Sequence, residues 1–80
     1  MKARVIVTLR NGVLDPQGKA IEGALRSLGV EGIAGVRQGK VFDIELGDGL
    51  DATAAEALLR QACERLLANT VVESYEIGLG

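Results

Sequence analysis

The alternation of apolar and polar positions predicts three strands separated by two helices. The first strand spans residues 3–10 and places four apolar side chains on one face, namely Ala3, Val5, Val7 and Leu9. Ile6 interrupts the polar face, which indicates that this face is also partly covered. The Asn11-Gly12 pair then signals a turn.

The first helix is predicted to begin at Asp15-Pro16. An Asp carboxylate accepts backbone N–H groups at an N-cap, and Pro suits the first helical position. We expect Glu22 and Arg26 to form an i,i+4 pair on the solvent side, and Gly29 to end the helix in a left-handed conformation. The apolar stripe of this helix comprises Ile21, Ala24, Leu25 and Leu28.

The stretch from Val36 to Leu46 is predicted to be extended, and two interpretations of it are open. Gln38-Gly39 could turn a hairpin, or one strand of about eleven residues could bend near Gly39. Gln-Gly is not a preferred two-residue hairpin turn. We therefore favour the long strand, although strands are commonly nearer 5–6 residues, and we expect it to reach a second subunit.

A second helix is predicted to start near Asp51 or Thr53, where Thr53-x-x-Glu56 has capping-box spacing. Asn69 is its predicted left-handed exit, and residues 71–79 form the last strand. The inward stripe of the helix is expected to comprise Ala55, Leu58, Leu59, Ala62, Cys63 and Leu66. The last strand is expected to carry Tyr75, Ile77 and Leu79 on one face.

This order of elements predicts one α+β domain over residues 1–80. Its small antiparallel sheet carries two helices on one face, in a β-α-β-α-β arrangement related to the ferredoxin-like fold. A chain of 80 residues buries a small core. Cys63 is the only cysteine and there is no histidine, so neither a disulfide nor a zinc site is expected to stabilise it. We therefore expect a homodimer or a higher oligomer.

The net charge of −2 and the presence of only two aromatic residues, Phe42 and Tyr75, disfavour nucleic-acid binding. No apolar run approaches the ~20 residues that span a bilayer. The first residues enter a strand directly, so the expectation is a cytoplasmic protein.

The residues needed for catalysis are not apparent. Cys63 lies in an apolar stripe, where a thiol is inert. The run from Gly35 to Lys40 has three residues between its glycines, and Val41 follows the lysine, so it does not match a phosphate-binding loop. The Asn11–Gly18 segment is compatible with a turn and N-cap or with a contact role. Gly18 and Gly23 cost helix stability and would allow close approach by another chain.

Three blocks of the sequence resemble the PurS family. They are Leu9 to Gly18 (LRNGVLDPQG), Val36 to Lys40 (VRQGK) and Cys63 to Asn69 (CERLLAN). The resemblance covers essentially the whole chain, and the Leu-Asp-Pro-Gln-Gly run is its most specific part. Thr70 departs from the Pro that commonly follows this asparagine, which bears only on how stiffly the chain enters its last strand.

The resemblance implies a non-catalytic, bridging subunit of phosphoribosylformylglycinamidine (FGAM) synthase in de novo purine synthesis. It implies three partners, namely a second copy of the chain, the synthetase subunit PurL and the glutaminase subunit PurQ. The assembled complex would use ATP, Mg²⁺ and glutamine, and this chain would bind no cofactor itself. The hypothesised partner-contact residues are Asn11, Gly12, Asp15, Gln17, Gly18, Arg37, Gln38 and Lys40.

Two other functions share the expected architecture. A ferredoxin-like regulatory module would sense a small molecule, and its ligand would stabilise it without protein partners. An acylphosphatase-type enzyme would need a phosphate-cradling loop with a well-placed arginine, which the sequence does not offer.

Overall fold

A computed structural model describes residues 1–80 and contains one antiparallel three-stranded sheet and two α-helices. The order of the strands is β2-β1-β3, so the N-terminal strand is central. The elements are β1 (Lys2–Leu9), α1 (Pro16–Ser27), β2 (Gly39–Glu45), α2 (Ala52–Ala62) and β3 (Glu73–Leu79). This confirms the predicted α+β class. Neither helix has the length and apolar character required to cross a bilayer.

The core lies between one face of the sheet and α2. Ala3, Val5 and Val7 of β1 alternate inward and are buried against Leu59 and Cys63. Apolar side chains of both outer strands, of the loop after β2 and of the turn that ends the second helix pack around this cluster: Phe42, Ile44, Leu46, Leu67, Tyr75 and Ile77. The predicted inward face of β1 is therefore confirmed for Ala3, Val5 and Val7, whereas Leu9 is only half-buried and lies outside the core. Ile6 on the opposite face is 38% exposed.

Helix α1 does not pack on the sheet of its own chain. None of its residues belongs to the core or to the apolar side chains around it. Ile21 is 38% exposed and Leu28 is 77% exposed, so the apolar stripe of this helix is largely uncovered. Of the two helices that we expected on one face of the sheet, only α2 contributes to the core.

The chain is consequently elongated, with extents of 51 × 24 × 15 Å. Its radius of gyration is 16.1 Å, compared with the roughly 12 Å expected for a compact domain of this length. The difference is consistent with α1 lying outside the core formed by the sheet and α2.

The ends of α1 are as predicted. Asp15 is the N-cap and Pro16 is the first helical residue. At the C-terminus Gly29 has φ +82°. Its N–H donates to Arg26 O (3.0 Å), and the N–H of Val30 donates to Leu25 O (3.0 Å). This pair of bonds is the Schellman motif.

The long middle strand is not observed, and neither is the alternative hairpin. β2 begins at Gly39, which pairs with Thr8, and residues 30–38 have no regular secondary structure. The backbone N–H groups of Val36 and Gln38 donate to carboxylates of Glu22 and Asp15 instead of to a strand. These groups therefore do not take part in a sheet.

The second helix begins at Asp51, whose carboxylate accepts the Ala54 N–H (2.8 Å), so the capping box at Thr53 is not used. The helix ends in a π-helical turn, Cys63–Leu67, closed by the N–H of Ala68 donating to Cys63 O (2.9 Å). The extra residue in this turn shifts the buried face.

This shift explains the exposure of Leu66, which was predicted to face inward. Ala55, Leu59 and Cys63 are buried as predicted, whereas Leu58, which lies before the π-helical turn, is also exposed.

The left-handed exit at Asn69 is also wrong, because no non-glycine residue has positive φ. The chain leaves the helix through extended Ala68, and Asn69 Oδ1 accepts the N–H of Val71 (3.2 Å).

Candidate functional site

The predicted contact residues lie together where β1 ends, α1 begins and β2 starts. We call this region the junction and define it as residues 9–18 and 36–40. Arg37 connects its two parts, because its Nη2 donates to Leu9 O (2.7 Å) and to Arg10 O (3.1 Å). Two blocks that are separate in sequence are therefore one structural unit.

Asp15 holds the junction through both carboxylate oxygens. Oδ1 accepts the Gly18 N–H (2.9 Å), which is the N-cap bond, and Oδ2 accepts the Gln38 N–H (2.8 Å). The pKa of Asp15 is lowered, chiefly by the hydrogen bond from the Gln38 N–H and next by that from the Gly18 N–H. The positive charge of Arg37 acts in the same direction. Asp15 is thus both a helix cap and an attachment for the chain entering β2.

Gly18 is the only buried residue of α1. A Cβ at this position would lie 2.5 Å from Val36 O and 2.7 Å from Asp15 Oδ2. The close approach that we expected from another chain is made here by the chain itself. At Gly23 a Cβ would meet nothing within 4 Å, so contact of Gly23 with another chain stays a prediction.

Glu22 makes a second attachment between α1 and the segment before β2. The Val36 N–H donates to its Oε1 (2.7 Å), and its Oε2 lies 3.5 Å from Lys19 Nζ and 3.8 Å from Arg26 Nη2. The predicted Glu22–Arg26 pair is present, but its solvent-side location is wrong, since the Glu22 side chain is only 11% exposed. The Val36 N–H is the main cause that lowers the pKa of Glu22.

Lys40 and Gly39 serve the start of β2. Lys40 Nζ lies 3.7 Å from Glu73 Oε2 of β3, with β1 between them in the sheet. A Cβ on Gly39 would lie 2.7 Å from Val7 O, so the strand pairing favours glycine here. Gly12 has φ +86° and makes the turn after β1.

The remaining predicted residues contribute side chains that are free within the chain. Asn11, Gln17 and Gln38 are exposed, and none of their carboxamides forms a hydrogen bond in this structure. Among the eight predicted residues, these three side chains are therefore available to another molecule.

The sequence prediction missed two participants, Glu22 and Glu73. Glu22 has a typical helix-pair spacing, which accounts for its assignment to the solvent side. Glu73 is 33 positions from Lys40 in the sequence. No local pattern reports a contact over that distance; only the paired register of the strands brings the two residues together.

The other candidate chemical group, Cys63, is fully buried in the core, and burial raises the pKa of its thiol. This confirms its predicted place in the inward stripe. No three side chains among His, Cys, Asp and Glu are grouped as a metal ion would require.

The lowered pKa values of Asp15 and Glu22 predict that the stability of the fold depends on pH. Folding lowers the pKa of Glu22 and of Asp15, so the stabilisation they give is present above their unfolded pKa values of about 4 and is lost as the pH falls towards their folded values. We expect urea midpoints to fall across this window in the wild type and to fall less steeply in Glu22→Gln. Glu76→Gln, on the exposed side of β3, is the control. If the urea midpoint of Glu22→Gln fell with pH as steeply as that of the wild type, the hydrogen bond between Glu22 and the Val36 N–H would be contradicted.

Comparisons with known proteins agree with these features over nearly the whole chain. The family model described as PurS, phosphoribosylformylglycinamidine (FGAM) synthase, matches residues 2–80. The PurS subunit of phosphoribosylformylglycinamidine synthase from Mycobacterium leprae is 50% identical over 76 residues, which are 95% of this chain and 91% of that protein.

Solved structures give the same result. The crystal structure of PurS from Methanocaldococcus jannaschii has a TM-score of 0.86 at 36% identity, and the match covers 96% of this chain and 92% of that one. A chain in the structure of PurLQS from Thermotoga maritima has a TM-score of 0.85 at 36% identity, covering 96% and 93%.

The fold and the junction define a class of protein, namely small antiparallel α+β chains with a helix that their own sheet does not cover. Within that class, the match over residues 2–80 is specific. The chain belongs to the PurS family.

Proposed function

We propose that this chain acts as the PurS subunit of phosphoribosylformylglycinamidine synthase and contributes contact surfaces, with the chemistry carried by other subunits. The observation that carries this proposal is the family match over residues 2–80. It is supported by the similarity to a chain of PurLQS from Thermotoga maritima along almost the full length of both.

The partners in this proposal are PurL and PurQ. The resemblance to the family implies that PurL converts formylglycinamide ribonucleotide to the formylglycinamidine with ATP and Mg²⁺, and that PurQ releases ammonia from glutamine. Ammonia that escapes into water is protonated to ammonium, which has no lone pair for attack. A subunit that docks the two sites together increases the effective concentration of the nucleophile at its target.

The same proposal includes self-association through α1. Its uncovered stripe would bury Ile21 and Leu28 against a second copy, and an 80-residue chain with only eight buried residues gains stability from such a contact. The elongated shape supports this, because α1 extends from the body of the chain as an arm.

Residues 1–80 act as one domain in this proposal, since β1 and β3 come from opposite ends of the chain and pair along seven residues of each. The cytoplasm is the proposed location because it suits a role in purine synthesis.

Reconstitution tests the function. The purified chain is added to PurL and PurQ from one organism whose own PurS is omitted, and glutamine-dependent formation of the amidine is measured with ATP and Mg²⁺. We expect activity to require the chain and to saturate at a fixed molar ratio. Equal activity with and without the chain, while that organism's own PurS restores it, would contradict the proposal.

A further inference from the structure

The charged side chains of the junction already have partners within the chain. Arg37 donates to two backbone carbonyls and lies near the Asp15 carboxylate, which itself accepts two backbone N–H groups. Lys40 is paired with Glu73. A charged partner segment would therefore have to compete with contacts that are already made.

The free hydrogen-bonding capacity lies in carboxamides. The chain has five Asn and Gln residues, of which Asn11, Gln17 and Gln38 are at the junction. Asn69 already accepts the N–H of Val71, and Gln61 lies near the C-terminus of α2, outside the junction. Three of the five are thus concentrated where the two family-like blocks meet.

Gln17 and Gln38 share one cleft beside the start of β2. We call it the carboxamide cleft and define it by its main lining residues: Leu9, Asp15, Gln17, Gln38, Lys40 and Glu73. Leu9 gives it an apolar portion, and Lys40 and Glu73 balance each other's charge. Asn11 lies in the neighbouring cleft with Arg10, whose guanidinium donates to Thr70 O (2.8 and 3.2 Å).

We propose that the carboxamide cleft binds an uncharged, extended main-chain segment of a partner subunit, which Gln17 and Gln38 hold by amide hydrogen bonds. Each carboxamide offers two donors and an acceptor, and a peptide group offers the complementary acceptor and donor. The inference rests on the proposed function and deepens it, because it names the chemistry that the junction recognises.

This recognition differs from the charge-based docking that Arg37 and Lys40 would otherwise indicate. Exposed ion pairs are weakened by salt, whereas binding through neutral hydrogen bonds and apolar area is largely independent of it. Arg37 and Lys40 become positioning residues, which keep the backbone of Gln38 and the start of β2 in place.

The test measures the Kd of the full-length chain for reconstituted PurL and PurQ by fluorescence anisotropy. Removing both carboxamides in Gln17→Ala/Gln38→Ala is expected to raise the Kd about tenfold or more, since each hydrogen bond contributes about two- to twelvefold. Gln61→Ala is the matched control and should bind as the wild type does. Between about 0.05 and 0.5 M salt the wild-type Kd should change less than about threefold.

Two further variants separate recognition from folding and charge. Gln17→Glu/Gln38→Glu keeps the shape of both side chains and should weaken binding at least as much as the alanine pair. Lys2→Met removes one positive charge at the other end of β1, away from the cleft, and should bind within about threefold of the wild type.

The outcomes distinguish this inference from the proposed function. If the wild type binds and the alanine pair binds equally well, or if wild-type binding depends strongly on salt, the carboxamide recognition is overturned and the assembly role is left intact. If PurL and PurQ bind the PurS of their own organism but do not bind this chain, both the carboxamide recognition and the proposed function are overturned.

Discussion

Gly18→Ala is expected to destabilise the chain by about 2 kcal/mol or more, although alanine is the better helix former. The added Cβ would lie 2.5 Å from Val36 O and 2.7 Å from Asp15 Oδ2, and a backbone carbonyl cannot rotate away as a flexible side chain can. Overpacking of this kind commonly costs about 1–3 kcal/mol. For a domain of this size, the melting temperature should fall by roughly 10 °C.

Gly23→Ala on the same helix is the matched control. A Cβ added at this position would have no neighbouring atom within 4 Å, so the variant should gain the helix propensity of alanine, about 0.5–1 kcal/mol. Opposite signs for the two variants would establish that Val36 packs against Gly18. If Gly18→Ala stabilised the chain as Gly23→Ala does, the packing described at the junction would be wrong.

A second large effect is expected for self-association. Ile21→Lys/Leu28→Lys replaces two uncovered apolar side chains of α1 by cations. Burial of each contributes about 1.5–3 kcal/mol, so the self-dissociation constant should rise at least about a hundredfold. Light scattering at micromolar concentration should show the wild type as a dimer or higher oligomer and this variant near the 8.4 kDa of one chain.

Ala20→Lys/Ser27→Lys places the same two charges on the same helix, about 100° around its axis from Ile21 and Leu28. This control should keep the wild-type mass. The account of α1 as the self-contact is contradicted if the wild type is itself a monomer, or if both double variants associate equally.

Features set by neighbouring residues were predictable from the sequence. The start of α1 at Asp15-Pro16 and its end at Gly29 depend on bonds between residues a few positions apart. The inward alternation of β1 was equally clear, because this central strand buries Ala3, Val5 and Val7 on one face. The sequence predicted a contact role for residues of both motif blocks, but it did not predict that the two blocks contact each other.

The errors arise where distant or irregular contacts decide the structure. Val36 and Gln38 have the alternation of a strand, but their N–H groups bond to Glu22 and Asp15, which are 14 and 23 residues away. No single-sequence pattern carries that information. The strand therefore begins three residues later than the alternation indicated.

Two further errors concern features for which the sequence carries little information. The π-helical turn at Cys63–Leu67 moves Leu66 outward and turns Ala68 into the core, and a regular 3.6-residue period cannot anticipate it. The stripe of α1 was correctly identified as apolar, but periodicity does not tell whether the partner is the same chain or another one.

The most direct test of the central claim, that this chain works by positioning other subunits, compares two sources of nitrogen in one assay. PurL and PurQ are supplied with either glutamine or a high concentration of ammonium salt, each with and without the chain. We expect omission of the chain to abolish glutamine-dependent amidine formation and to leave the ammonia-supported rate of PurL unchanged. Loss of both rates on omission would show that the chain serves the chemical step itself, which would contradict a purely positional role.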